Sequence, residues 1–333
     1  MRVCMVTNMY PSDDHPWFGT FIKSQIDSIG AAGHEVSLLK IDGRSSTWNY
    51  IRAVGQLREV LDQKQHDVVH AHYGLSGLVA CMQRRCPVVV SFCGDDLLGT
   101  PNGRGGLTMT STGIVLADQW AAHRANAIIV KSRKMKRALK FSSAREKAVI
   151  IPNGVDFDLF RPIDMASAKS ELGLDPGTRY ILFPSMADER RKRVDLARAA
   201  VETVRGEHPS AELLVLYKKP QNLVPVYMGA CDAMLLTSDW EGSANVVKEA
   251  MACNLPVVSV DAGDAWEMIE DADNCYRAER DPGDLADKLG RVLDSGERSD
   301  GRIRIGHLEL GAVAQRVVGV YESVIGGQAA QTG

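Results

Sequence analysis

Two glutamates eight positions apart, Glu241 and Glu249, flank a Gly242-Ser243-Ala244-Asn245-Val246 stretch where a helical pattern begins. A helix N-terminus offers unpaired N–H groups and partial positive charge, which suit a phosphate. Gly242 and Ser243 let the backbone approach such a ligand closely. A carboxylate inside the helix suits a vicinal diol, because it accepts a hydrogen bond from each hydroxyl. An acidic helix start followed by a surface glutamate is an equally good reading of the spacing. Upstream, Arg190-Arg191-Lys192-Arg193 follows a short apolar run. Cations at the mouth of a strand match a diphosphate, while a solvated charge run is the commoner case. Gly19, at the start of the first helical stretch, is either a third point of phosphate approach or a turn glycine. His70 and His72 lie two apart and point the same way along a strand. No third ligand stands at useful spacing, so a structural or substrate-facing role outweighs a metal site. Cys93 reads as a packed thiol. There is no G-x-G-x-x-G after the first strand, no G-x-S-x-G and no Walker A sequence, which disfavours nicotinamide, flavin and P-loop chemistry.

These residues sit in an alternating pattern. Short apolar runs at 2–7, 35–41, 68–71, 88–92, 127–130 and 149–151 read as strands. Helical spacing covers 20–32, 48–63 and 116–126. The pattern restarts with strands at 180–183, 213–217, 233–237 and 257–260, and helices at 194–204, 245–252, 284–294 and 315–325. Such alternation predicts βαβ units and parallel sheets. Prolines 152, 162 and 176 mark a junction over 152–177. The expected architecture is α/β, with two Rossmann-like lobes facing across a cleft: 1–155, 156–310, and a C-terminal helix with a fraying tail over 311–333. Ligands of such sheets bind beyond the carboxyl ends of the strands.

The 333 residues carry a net charge of −3, with 45% hydrophobic and 24% charged residues. This composition fits a folded globular chain and leaves no basic field to recruit nucleic acid. Seven cysteines without a C-x-x-C pair argue against a disulfide framework and for a reduced, cytoplasmic setting. The apolar start is too short for a secretory signal, and no run is long enough to span a bilayer. The glycine-rich loop 96–111 is the candidate for peripheral contact with a membrane face or a lipid-linked substrate, and a surface lid is the alternative.

The segments H-D-V-V-H-A-H-Y (66–73), I-P-N-G-V-D (151–156) and E-G-S-A-N-V-V-K-E-A (241–250) with L-P-V-V (255–258) resemble retaining glycosyltransferases of family 4, which have the GT-B fold. The opening T-N-M-Y-P-S-D-D-H-P-W-F-G-T-F resembles the subgroup that builds polysaccharides. The resemblance implies a nucleotide-diphosphate sugar donor in the second lobe, with UDP favoured over GDP. Glu249 would hold the ribose and Glu241 the transferred hexose. The amides of Gly242 to Val246 would face phosphate or sugar, and Arg191 and Lys192 would neutralise the diphosphate in place of a metal ion. Gly19 would lie near that diphosphate. A saccharide or lipid-linked glycan acceptor would bind the first lobe, with His72, Cys93, Asp95 and Asp96 as sugar contacts. Glu241 and Lys192 would be catalytic.

Three departures stand out. Met186 replaces the family's usual arginine, six residues before Lys192. Cys93 replaces a histidine. Only fifteen residues (218–232) separate two strands where the family usually has an extra helix and strand. The same features fit two other readings: a nucleotide-sugar epimerase or hydrolase, and a catalytically degenerate sugar-binding subunit.

Overall fold

The structure is a computed structural model and describes residues 1–100, 107–186 and 189–329. It divides into two compact units, Met1–Gly154 with Leu310–Gly333, and Val155–Glu309.

The first unit runs β1 (Arg2–Thr7), α1 (Thr20–Ala31), β2 (Glu35–Lys40), α2 (Trp48–Gln63), β3 (Val68–His72), α3 (Gly74–Cys81) and β4 (Val88–Ser91). It continues with α4 (Asp95–Leu98), α5 (Met109–Arg124), β5 (Ala127–Val130), α6 (Arg133–Ala138), α7 (Ser142–Glu146) and β6 (Ala148–Ile150). The sheet is parallel, ordered β2-β1-β3-β4-β5-β6, with Met5 opposite both Leu38 and His70. β3, β4 and β5 are buried along their whole length, as expected for strands covered on both faces.

The second unit runs α8 (Met165–Leu172), β7 (Arg179–Phe183), α9 (Val194–Val204), β8 (Ala211–Val215), α10 (Val224–Ala230) and β9 (Ala233–Leu236). Then come α11 (Asn245–Ala252), β10 (Val257–Ser259), α12 (Ala265–Ile269), β11 (Tyr276–Arg277), α13 (Pro282–Ser295) and α14 (Gly301–Arg304). Its sheet is parallel, ordered β11-β10-β9-β7-β8. The last helix, α15 (Leu310–Ala329), returns to the first unit, where it packs on α1 and buries Tyr321.

Local chemistry explains where the elements depart from the expected ones. α5 starts at Met109 rather than 116, because the Thr108 hydroxyl caps it by accepting from the Ser111 amide at 3.2 Å. Of loop 96–111, residues 96–98 and 109–111 are helical, and 101–106 lie outside the described residues. The expected junction 152–177 contains α8, capped by Asp164 and stopped by Gly173 at φ 65°. β8 is displaced by two residues from 213–217, since Ala211 rather than Leu213 registers with Arg179. α15 extends to Ala329, beyond the expected 325, while 330–333 lie outside the described residues.

Candidate active site

In the second unit the strand order switches between β7 and β9: the chain moves outward from β7 to β8, then returns to β9 on the other side of β7. A parallel sheet opens a ligand crevice at such a point. The loop after β7 carries Arg191 and Lys192, and the loop after β9 carries Glu241. Main-chain contacts stitch them together. The Asp239 amide donates to the Arg191 carbonyl at 2.8 Å, and the Thr237 hydroxyl donates to the Lys192 carbonyl at 2.7 Å. Arg280 donates to the Asp239 carbonyl at 3.0 Å and to that of Asp261, tying in the loop after β10. Gly263 sits there at φ 68°, and a Cβ would come within 3.1 Å of the Glu241 main chain.

The side chains converge on Glu241. Its Oε1 lies 2.6 Å from the Lys192 ammonium and its Oε2 3.0 Å from the Arg191 guanidinium. Burial alone would raise the Glu241 carboxyl, but Lys192 and Arg191 outweigh it and hold the group below the usual range. Arg191 also meets Glu189 at 2.6 Å and lies 4.7 Å from the centre of the Trp240 ring. Its neighbours are committed elsewhere: Arg193 pairs with Asp195 and Asp239, and Arg190 is exposed. Arg191 is thus the arginine that meets Glu241 beside Lys192.

α11 starts at Asn245, and Ala244 before it has no side chain to cap it. Its approach is fixed from below by three side chains. The Ser243 hydroxyl donates to Asp264 Oδ2 at 2.7 Å, and the fully buried Lys248 donates to Ser243 Oγ at 3.1 Å. Asp264 is pushed up by burial, a shift that Lys248 and Ser243 partly offset. Glu249, one position further along α11, is half-buried, and none of the described residues donates a side-chain hydrogen bond to its carboxylate. Burial raises it to about 7, partly offset by the Lys248 charge. A partly exposed carboxylate with vacant acceptors is suited to hydroxyl donors. Lys248, Asp264 and Gly263 were not singled out from sequence. The first showed itself only as a charge beside apolar Val247 and Ala250, and the others as residues past a strand's carboxyl end.

The residues expected as contacts in the first unit have the following surroundings. Gly19, at φ 76°, passes so close to its own loop that a Cβ would stand 2.7 Å from the Met9 carbonyl carbon, which accounts for the glycine by packing. His72 is 1% exposed, with Nε2 2.6 Å from Gln25 Oε1. His70 lies between the Tyr321 hydroxyl at 2.6 Å and Ser91 Oγ at 2.8 Å. Burial, with the Lys131 charge, pulls His70 down to about 3. Cys93 is pushed up to about 12 by burial and by Asp96, so it is a thiol at neutral pH. Asp96 accepts from the amides of Cys93 at 2.9 Å, Gly94 at 2.8 Å and Leu97 at 3.1 Å, and so holds the loop after β4. Asp95 is exposed beside it. No group of three or more His, Cys, Asp or Glu among the described residues has metal-binding geometry, and no described helix is long and apolar enough to cross a membrane.

Residues 3–159 match the family model "Glycosyltransferase Family 4", and residues 213–295 match "Glycosyl transferases group 1". Each match is to a glycosyltransferase model, and the one in the first unit is family 4. Among curated relatives, the D-inositol 3-phosphate glycosyltransferase of Nocardia farcinica is 26% identical over 70% of this chain and 60% of its own length. That of Frankia alni is 28% identical over 68% of this chain and 65% of its own. The chain therefore spans about 60% of the length of the curated relatives it matches. Among solved structures, sucrose-phosphate synthase of Thermosynechococcus elongatus superposes with TM-score 0.78 at 15% identity, covering 98% of this chain and 100% of that one. HepE of Anabaena, solved in complex with UDP, superposes with TM-score 0.71 at 17% identity over 97% and 100%. At these identities the structures speak to the fold, which is GT-B. Its two Rossmann-like units are the six- and five-stranded parallel sheets.

Proposed function

We propose that this chain is a retaining hexosyltransferase. It takes a nucleotide-diphosphate sugar, a UDP-sugar by preference, and passes the hexose to a saccharide or glycan-precursor acceptor, lipid-linked acceptors included. The observation that carries this reading is the grouping at the β7/β9 switch point. Two cations meet one carboxylate there, and a second carboxylate with vacant acceptors lies on the adjoining helix.

In this reading the ribose hydroxyls of the donor donate to Glu249, which favours the ionised carboxylate. Arg191 and Lys192 face the diphosphate and supply the positive charge that a leaving phosphate needs. Glu241 holds both cations and, with Gly242 to Val246, lines the hexose side. The first unit binds the acceptor. Retention follows if the leaving phosphate takes the acceptor's proton on the same face of the sugar. The proposed setting is the cytoplasm, with peripheral contact to the inner membrane face where the acceptor carries a lipid.

The test is to incubate the chain with UDP-hexoses, with and without a panel of glycan acceptors, and follow products by mass spectrometry and NMR. Donor consumption that requires acceptor, with the anomeric configuration kept, is the expected outcome. Hydrolysis or epimerisation without acceptor would make it an epimerase or hydrolase. Tight donor binding without turnover would make it a sugar-binding subunit.

A further inference from the structure

The segment from Arg133 to Lys147 carries seven lysines and arginines against one acid, Glu146, in a chain whose net charge is −3. It lies at the edge of the first sheet, where α6 and α7 lead into the outermost strand, β6. Lys136 fixes α6 against that strand by donating to the Ala148 carbonyl at 2.6 Å. A cavity of about 350 Å³ here is lined by Arg133, Lys136, Arg137, Arg145 and Ile150, four cations and no acid. Lys134, Arg137, Lys140 and Arg145 are exposed, and among the described residues no acid forms an ion pair with them. Between 112 and 147 the one other acid is Asp118, which is buried with both carboxyl oxygens unpartnered and does not reach this face.

Apolar side chains adjoin the charge. Leu116 and Trp120 stand about one turn apart on α5 and are exposed, as is Phe141 just before α7. His123 joins α5 to α7: its ring centre is 5.1 Å from that of Phe141, and its Nδ1 is 3.2 Å from Ser143 Oγ. Arg124 lies 5.7 Å from the centre of the Trp120 ring. The buried Gln119 donates to the Ala138 carbonyl at 3.0 Å and accepts from the Lys140 amide at 2.8 Å, so the end of α6 is held to α5. Charge and apolar side chains therefore share one firmly tied surface.

A surface that meets only water intersperses charges of both signs and shows large apolar residues singly. Cations of one sign beside exposed aromatic rings suit a different neighbour. The cations attract an anionic leaflet, and aromatic side chains settle at the level of its headgroups. A free phosphate would use the cations and leave the rings in water. We propose that α5 to α7 of the first unit form a docking surface for an anionic phospholipid bilayer. The cavity seats a lipid phosphate, and Leu116, Trp120 and Phe141 enter the interface. The inference deepens the proposed peripheral membrane contact, rests on it, and moves it from loop 96–111 to this face.

Co-sedimentation of the whole chain with vesicles containing phosphatidylglycerol, set against vesicles of phosphatidylcholine alone, tests this. The parent should bind the anionic vesicles and leave them as salt rises, since each cation near such a surface strengthens binding about fivefold. Arg137→Glu combined with Lys140→Glu should lower that partitioning at least about tenfold. Trp120→Ser combined with Phe141→Ser should lower it at least about threefold. All four positions are exposed, so both variants should melt with the parent. The surface is overturned if the parent does not bind anionic vesicles, if it binds both kinds equally, or if either double variant partitions as the parent does. It is also overturned if inorganic phosphate or poly(U) RNA strips the parent from the vesicles at matched ionic strength, which would make the face a soluble-anion or nucleic-acid site. Calorimetry with UDP on the same samples separates this claim from the proposed activity. Vesicle binding without UDP binding keeps the surface and removes the proposed donor half, and the reverse pattern removes the surface alone.

Discussion

Lys192 and Asp118 illustrate how far a single side chain's setting determines its part. Lys192 lies 2.6 Å from Glu241 at the switch point, where a leaving diphosphate would develop charge. Lys192→Ala should lower kcat by about 10²–10³ while the donor KM changes less than tenfold. Equal losses in both would mean that it only anchors the ground state. Asp118 is held up to about 8, by burial first and by Asp96 second, against about 3.9 for an unfolded aspartate. The folded chain therefore keeps a proton between about pH 4 and 8 that the unfolded chain releases, and stability falls as pH rises through that window. Asp118→Asn is free of this loss. Its unfolding free energy should gain on the parent's between pH 5 and 8, by a few kcal/mol at pH 8. A gap that does not change with pH would contradict a buried, unpaired acid. Glu241, Glu249 and Lys192 were legible in the sequence because each stands in a contiguous motif at a strand or helix end. Asp118 was not, although a charge in phase with Val115, Ala121 and Ala122 is a readable sign of a buried polar group. Asp96 drew attention by type, but its short-range bonds to three amides depend on a turn that composition does not reveal.

At the level of elements, the start of α11 is held by a buried chain from Lys248 through Ser243 to Asp264. Removing one charge from such a set leaves the other without its counterpart, at a cost of about 3–5 kcal/mol. Lys248→Met should destabilise the protein by that order in urea, and pairing it with Asp264→Asn should recover much of the loss. Additive effects of the two changes would mean that the residues do not act together. The strands were readable from sequence because those covered on both faces are unbroken apolar runs. The helices were less so. α3 follows β3 after Tyr73 alone, which takes φ 71°, and its Gly74-Leu75-Ser76-Gly77 opening looks like a turn. α8 was hidden among prolines, even though Asp164 and Gly173 are ordinary start and stop residues. The β8 offset reflects an edge strand, whose Val215 is 37% exposed and leaves hydrophobicity a poor guide to register.

At the scale of the molecule, the chain leaves the first unit at Gly154 and re-enters it at Leu310. The first unit is therefore completed by the last helix, through the Tyr321 hydroxyl on His70. Tyr321→Phe strands a buried imidazole nitrogen and should cost about 1–3 kcal/mol. In hydrogen exchange, amides of β3 and β4 should lose protection while those of β9 and β10 keep theirs; uniform loss would show that the two units unfold as one. The alternation of strands and helices made the two-unit plan readable, whereas which unit the last helix joins depends on contacts across 251 residues of sequence. The central claim is that the second unit grips a nucleotide through Glu249. Isothermal titration calorimetry with UDP, on the parent and on Glu249→Gln at pH 6 and pH 8, tests it most directly. Because burial lifts Glu249 to about 7 and hydroxyl donors favour its charged form, the parent should bind more tightly at pH 8. The variant should bind at least about tenfold more weakly there, a loss of about 1.4 kcal/mol, with no pH dependence and an unchanged melting temperature. Equal affinity of the two proteins at both pH values would contradict the account.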